Sequence, residues 1–273
     1  MNTGANGREH WATRAGFILA AAGSAIGLGN IWRFPYMTGE HGGAAFIIIY
    51  LIAILLIGYP LIVNEMILGR ASQRNPVGAF KALAPDSPWW LVGALGVFTG
   101  FVILSYYAVV AGWSLAYILK VIAATRTPDI DHAGVFVGHI TSVWQPIGWQ
   151  ALFMVLTVGI IAAGVVKGIQ RWVTILMPIF FVLMILLIFR AITLPGAGEG
   201  IAYYLKPDFS EVTGRTLLGA ISQAFFSLSL GMGVLITYGS YLHAKDEIPR
   251  SGASVVGLDT GIALLAGFAI FPA

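Results

Sequence analysis

Gly23-Ser24-Ala25-Ile26-Gly27-Leu28-Gly29-Asn30 lies in the middle of an uncharged run, residues 16–32, close to the length that enters a lipid bilayer. Each glycine costs a helix roughly 1 kcal/mol of propensity, so three of them beside an asparagine predict an unwound segment. Irregular backbone at membrane depth survives only where it lines a cavity or is buried in protein. The whole chain agrees that the surroundings are lipid: of 273 residues 58% are hydrophobic and only 10% charged, and mean hydropathy is +0.85. A soluble domain carries about 25% charged residues.

Further uncharged or nearly uncharged runs follow, and together they predict seven spans at approximately 12–38, 43–70, 89–124, 147–166, 169–192, 215–243 and 251–273. Residues 125–149, with Pro128, Asp129, Asp131 and Pro146, read as an external excursion. The last run is split by Asp259, and only fourteen residues follow it, so the sequence reads as an N-terminal fragment of a longer membrane protein, cut in its seventh span. No cleavable signal peptide is evident, because the first apolar run continues into Arg33 and Pro35. With the N-terminus inside, the inner loops carry nine basic residues, among them Arg14, Arg70, Arg74 and Lys167, and the outer side five, including Lys120 and Arg190. Positive-inside counting therefore favours a cytoplasmic N-terminus and a multi-pass protein of the cell membrane.

The sixth span repeats the device of the first, with Ser227-Leu228-Ser229-Leu230-Gly231-Met232-Gly233 at its centre. Small residues four apart, such as Gly23 and Gly27, also serve close helix packing. Two such interruptions, each beside hydroxyl or amide groups, favour a transporter's midplane site over packing alone. Arg33, Glu65 and Asp259 are ionisable residues within spans, costing about 2.5–3.5 kcal/mol each on insertion scales. Snorkelling offers Arg33 an ordinary explanation, and pairing with Arg70 or with backbone offers one for Glu65. Asp259 has less escape, since it follows the apolar run 252–258. Gly168 and Pro178 on the fifth span mark either an inner end that can unwind or an ordinary kink, the second being the plainer account.

Enzyme chemistry finds no support. HExxH, GxSxG and Walker motifs are absent, cysteine is absent, and the five histidines have no ligand spacing. The pI near 9.2 comes from basic residues spread singly, which argues against a nucleic-acid partner.

Residues 8–14 (REHWATR), 23–35 (GSAIGLGNIWRFP), 42–46 (GGAAF), 223–233 (QAFFSLSLGMG) and 237–241 (TYGSY) resemble the neurotransmitter:sodium symporter family, and among its members the bacterial amino-acid transporters. The resemblance implies an all-α integral membrane protein with the inverted-repeat sodium symporter fold, its first and sixth helices broken, here truncated in the seventh span. It implies that a first sodium is held by the Ala25 carbonyl, the Asn30 amide oxygen, Ser227, Asp259 and the substrate carboxylate, and a second by the Gly23 and Ile26 carbonyls with further ligands on an eighth span. The substrate carboxylate would meet the amides of Leu28 and Gly29 and the Tyr107 hydroxyl. Its ammonium group would face the carbonyls of Ala25, Phe226 and Ser227 and the Ser229 hydroxyl. Ile103, Tyr107, Phe226 and Met232 would form an apolar side-chain pocket. Arg33 and Gln223 resemble the outer gate, and Arg8, Trp11 and Tyr241 the inner one.

Chloride-dependent members surround their anion with a tyrosine, a glutamine and two serines. Tyr50, Gln223 and Ser227 match those positions, while Ala263 stands at the last and Asp259 brings a built-in negative charge one helical turn away. The implied activity is sodium-coupled symport of a hydrophobic or aromatic L-amino acid by alternating access, with Na+ as the coupling ion, no organic cofactor and no chloride. The partners are then the amino acid and the lipid bilayer; oligomeric state is not legible. A proton-coupled transporter of the same fold, with Asp259 as carrier, and a non-transporting membrane sensor or scaffold are the competing readings.

Overall fold

The computed structural model describes residues 10–124 and 131–273. Thr13 starts the first helix by accepting from the Gly16 amide at 2.9 Å, and α1 runs Arg14–Ala25. The chain then breaks, bends by 52° and resumes as α2, Gly29–Glu40, whose first turn Gly29–Arg33 is π-helical. α3 spans Ala44–Ser72, with a π-helical stretch at Ile54–Gly58. α4 (Pro76–Leu83) is capped by Asn75, and α5 is the long helix Trp90–Ala124. α6 (His132–Thr141), α7 (Trp144–Ala162) and α8 (Val165–Ile192, opening with a π turn) come next. α9 (Ala197–Leu205), α10 (Gly214–Ser227), α11 (Val234–Gly239) and α12 (Ile248–Ile270) complete the chain.

Among the described residues, α3, α5, α7, α8 and α12 are long and apolar enough to cross a membrane, and the bent pair α1 and α2 makes a sixth such span. The expected sixth span, 215–243, is two helices of 14 and 6 residues separated by 228–233. Neither is long enough to cross alone, which is why composition there looks continuous while the helix is not. The excursion expected over 125–149 needs correction within its described part. α6 occupies 132–141, and α7 already begins at Trp144. Pro146 falls in the first turn of α7, where a missing N–H costs nothing, so it marks a helix start rather than a loop. α7 also stops at Ala162, earlier than the expected 166, because Gly164 at φ 88° turns the chain directly into α8.

α1, α2, α3, α10, α11 and α12 supply most of the buried core, including Phe17, Phe34, Tyr50, Ile62, Met66, Ala224 and Val255. α11 lies directly on α3. A Cβ on Gly69 would come within 2.0 Å of the Ile236 carbonyl oxygen, so only glycine allows that backbone approach. By contrast α5, α7 and α8 turn large apolar side chains outward, Val155 at 69% and Leu186 at 59% exposure. A contiguous apolar surface of that kind needs lipid or protein against it.

Candidate functional site

The break in α1–α2 is held open by its own asparagine. Asn30 Oδ1 accepts from the Gly27 amide at 3.0 Å. Gly27 N–H is thereby withdrawn from the Gly23 carbonyl, its partner in a continuing helix, and the last carbonyls of α1, Gly23 and Ala25 among them, are left to other donors or to cations. The Gly29 amide faces the Tyr107 hydroxyl. Among the described residues the Leu28 amide has no acceptor. Gly23 itself does the packing: a Cβ there would touch Val173 at 3.1 Å and Met177 at 3.6 Å. Thus the cluster divides its work, with Gly23 for contact with α8 and Gly27–Asn30 for the break.

Three helices converge beside it. Asn30 on the first turn of α2, Ser227 at the end of α10 and Asp259 in the middle of α12 are all fully buried. Asn30 Nδ2 donates to Asp259 Oδ1 at 2.8 Å, to the Asp259 carbonyl at 3.0 Å and to Ser227 Oγ at 3.2 Å. The Ser227 hydroxyl donates to Asp259 Oδ2 at 2.7 Å. A buried carboxylate with both oxygens engaged by short donors is what such an environment demands. The Asn30 amide turns its nitrogen, not its oxygen, toward Asp259 and Ser227, because the oxygen is committed to Gly27. Two donors from the amide and hydroxyl balance the carboxylate in this arrangement; an amide oxygen in the same place would repel it.

The second break is equally ordered. Ser229 at φ 54°, Gly231 at 79° and Gly233 at 72° are left-handed, a strained choice for the serine. Glu65 on α3 accepts from the Gly231 amide at 2.8 Å, so its partner is the unwound backbone of the sixth span. Arg70 goes elsewhere, donating to the Asp246 carbonyl at 2.7 Å. Arg33 does not snorkel away: it donates to the Gln223 amide oxygen and to Ser222 Oγ at 3.0 Å, and its Cζ stands 4.7 Å above the Phe226 ring centroid. Gln223 in turn donates to the Gly29 carbonyl at 2.9 Å. Its amide is therefore occupied between Arg33 and the break, while the Tyr50 hydroxyl is buried beside the side chains of Ser227 and Thr260. Ala263 is buried, a turn beyond Asp259.

A cavity of about 310 Å³ opens over this site, lined by Leu28, Trp32, Arg33, Tyr36, Met37, Tyr106, Tyr107 and Phe226. Of the expected apolar pocket it includes Tyr107 and Phe226. Ile103 and Met232 do not line it; Met232 backbone packs instead near Gly96 of α5. Gly29 lacks a Cβ just where one would touch the Phe226 ring at 3.3 Å, letting that ring lie against the broken backbone. Ser222, Tyr106 and the aromatic rim Trp32 and Tyr36 were not legible in advance, since nothing in their spacing separates them from lipid-facing residues.

At the opposite end Trp11 is buried and donates from Nε1 to the Tyr238 carbonyl at 3.0 Å. Its ring packs edge-on against Phe17, Tyr238 and Tyr241. Arg8, expected to act with it, lies outside the described residues.

A model of the sodium:neurotransmitter symporter family matches residues 8–133 and 128–273. The chain belongs to this family. It is 47% identical over 265 residues to an uncharacterised sodium-dependent transporter, YhdH, of Bacillus subtilis (strain 168), covering 96% of this chain and 59% of that one. It is 32% identical to the sodium-dependent neutral amino acid transporter B(0)AT3 of Mus musculus, covering 97% of this chain and 47% of the relative. The crystal structure of MhsT in complex with L-phenylalanine superposes with a TM-score of 0.92 at 52% identity, covering 98% of this chain and 61% of MhsT. The chain thus spans about three fifths of the length of YhdH and MhsT. A multi-pass helical membrane protein and a transporter fold, not an enzyme, follow from this membership.

Proposed function

We propose that this protein imports a hydrophobic or aromatic L-amino acid across the cell membrane with sodium, by alternating access around the two helix breaks. The observation that carries the reading is the meeting of Asn30, Ser227 and Asp259, from three helices, in a buried cluster beside the free carbonyls that end α1. Sodium is a hard cation and takes oxygen ligands. Asp259, the Ser227 hydroxyl and the Ala25 carbonyl supply them at once, and Asn30 adds its amide oxygen once the side-chain amide turns over. That turn releases the Gly27 amide, so sodium entry and the shape of the break are linked. The Gly23 and Ile26 carbonyls contribute to a second sodium. The Leu28 amide, the Gly29 amide and the Tyr107 hydroxyl are donors for the substrate carboxylate at the positive end of α2. Ser229 and the carbonyls of Ala25, Phe226 and Ser227 take its ammonium group, and the aromatic cavity takes an apolar side chain. Trp11 and Tyr241 close the cytoplasmic side, with Arg33 and Gln223 on the outer one.

Chloride independence belongs to the same reading. Asp259 takes the Ser227 hydroxyl that an anion would use, and Gln223 is engaged by Arg33. The full-length protein in proteoliposomes should accumulate labelled phenylalanine or leucine, saturably, under an inward sodium gradient with gluconate as the anion. Uptake driven by a proton gradient without sodium favours the proton-coupled reading instead, and binding without any uptake favours a sensor.

A further inference from the structure

One side chain joins the N-terminal segment to the opening turn of α8. Gln170 closes the π turn Val165–Gln170, and its Oε1 accepts from the Ala12 amide at 3.2 Å. Its amide group also lies flat on Gly16: a Cβ there would come 2.3 Å from Nε2 and 2.5 Å from Cδ. Ala12 directly follows Trp11, whose seat against Tyr238 and Tyr241 has been described. On the other side of the same turn, Gly164, Val165 and Ile169 border a cavity of about 550 Å³, facing Trp11, Tyr238 and Tyr241. The turn is sparsely bonded. The amides of Gly168 and Ile169 share the single carbonyl of Gly164, at 3.1 and 3.2 Å, and Gly164 is itself left-handed. Short π segments inside α-helices are frequent at functional sites.

We propose that Gln170 is a positioning residue that couples the Trp11 latch to the opening turn of α8, so that release of either loosens the other. This rests on reading Trp11 as the inner gate of an alternating-access transporter. Each element has a seated and a released form, and a contact made only when both are seated ties their equilibria together reciprocally. The contact is one hydrogen bond plus the flat packing on Gly16. Its loss corresponds to about a threefold to tenfold change in the released population.

Amide hydrogen exchange of the full-length protein in lipid nanodiscs, read by mass spectrometry, tests the coupling. Trp11→Ala should speed exchange over 12–16 and also over 165–170, the latter by about threefold to tenfold. Gln170→Leu, which keeps the bulk but removes the acceptor, should speed 165–170 on its own, and Trp11→Ala should then add nothing there. Gly16→Ala, which displaces the Gln170 amide, should behave like Gln170→Leu, whereas Gln170→Glu keeps the acceptor and should exchange like the parent. If Trp11→Ala loosens 12–16 but leaves 165–170 unchanged, or if its effect adds to that of Gln170→Leu, the coupling is wrong while the latch survives. If Trp11→Ala changes neither region, the latch reading falls and the coupling with it. A Gln170→Glu variant as loose as Gln170→Leu would also overturn the proposal, and guards against mistaking a damaged fold for a lost contact.

Discussion

Replacing Asp259 by asparagine is nearly isosteric, so what it removes is charge and one acceptor. Asp259 Oδ1 can keep its 2.8 Å bond from Asn30, since the new amide retains one oxygen. Its other position becomes an NH2 group facing the Ser227 hydroxyl, which already accepts from Asn30 and now loses the acceptor it held at 2.7 Å. Losing a hydrogen bond to a charged group costs about 1.5–3 kcal/mol. For a bound sodium the larger loss is electrostatic: two unit charges 4 Å apart at an effective dielectric of 20 interact by about 4 kcal/mol. A tenfold change in affinity corresponds to about 1.4 kcal/mol, so sodium affinity should fall by roughly two to three orders of magnitude. The assay is equilibrium binding of labelled phenylalanine or leucine to the purified full-length protein across a sodium titration, with chloride or gluconate as the anion. The parent should bind equally in both anions, Asp259→Asn should bind poorly in both, and Asp259→Asn with Ala263→Ser should recover in part only in chloride. Strict chloride dependence of the parent, or a sodium affinity for Asp259→Asn within threefold of the parent's, would refute the reasoning.

Other outcomes follow from the same contacts. Asn30→Ala and Ser227→Ala should each weaken sodium and substrate binding together, by about tenfold or more, because linkage is reciprocal; a scintillation binding assay at two sodium concentrations that shows substrate affinity unchanged would count against the shared site. Leucine, phenylalanine and tryptophan should compete for uptake better than glutamate or lysine, since among the described residues seven of the eight lining the cavity are aromatic or aliphatic, and the eighth, Arg33, is already held by Gln223 and Ser222. Gly69→Ala should lower thermal stability sharply, as its methyl would meet the Ile236 carbonyl at 2.0 Å, while Gly257→Ala, with nothing within 4 Å, should be neutral or slightly stabilising in a thermal-shift measurement.

Much was legible in one dimension because lipid leaves so few solutions. A helix in hydrocarbon must satisfy its own backbone, so long uncharged runs announce spans, and glycines beside Asn30 and Ser227 announce where two of them fail. Asp259 stood out for the same reason: an apolar run makes a carboxylate costly unless something answers it. Chain order could not say what answered each group. That Asn30 presents nitrogen rather than oxygen to Asp259 depends on Gly27 capturing the oxygen across the break. That Glu65 serves Gly231 and Arg33 serves Gln223 depends on residues 166 and 190 positions away. Gln170 had no sequence signal at all, since a glutamine between Lys167 and Arg171 at the head of a span is ordinary until the packing of the N-terminal segment and α1 on α8 sets it against Ala12 and Gly16. Local rules of propensity and solvation act along the chain and fix where helices form and stop. Partner choice among buried polar groups is a short-range matter of a few ångströms, decided only once the helices have packed.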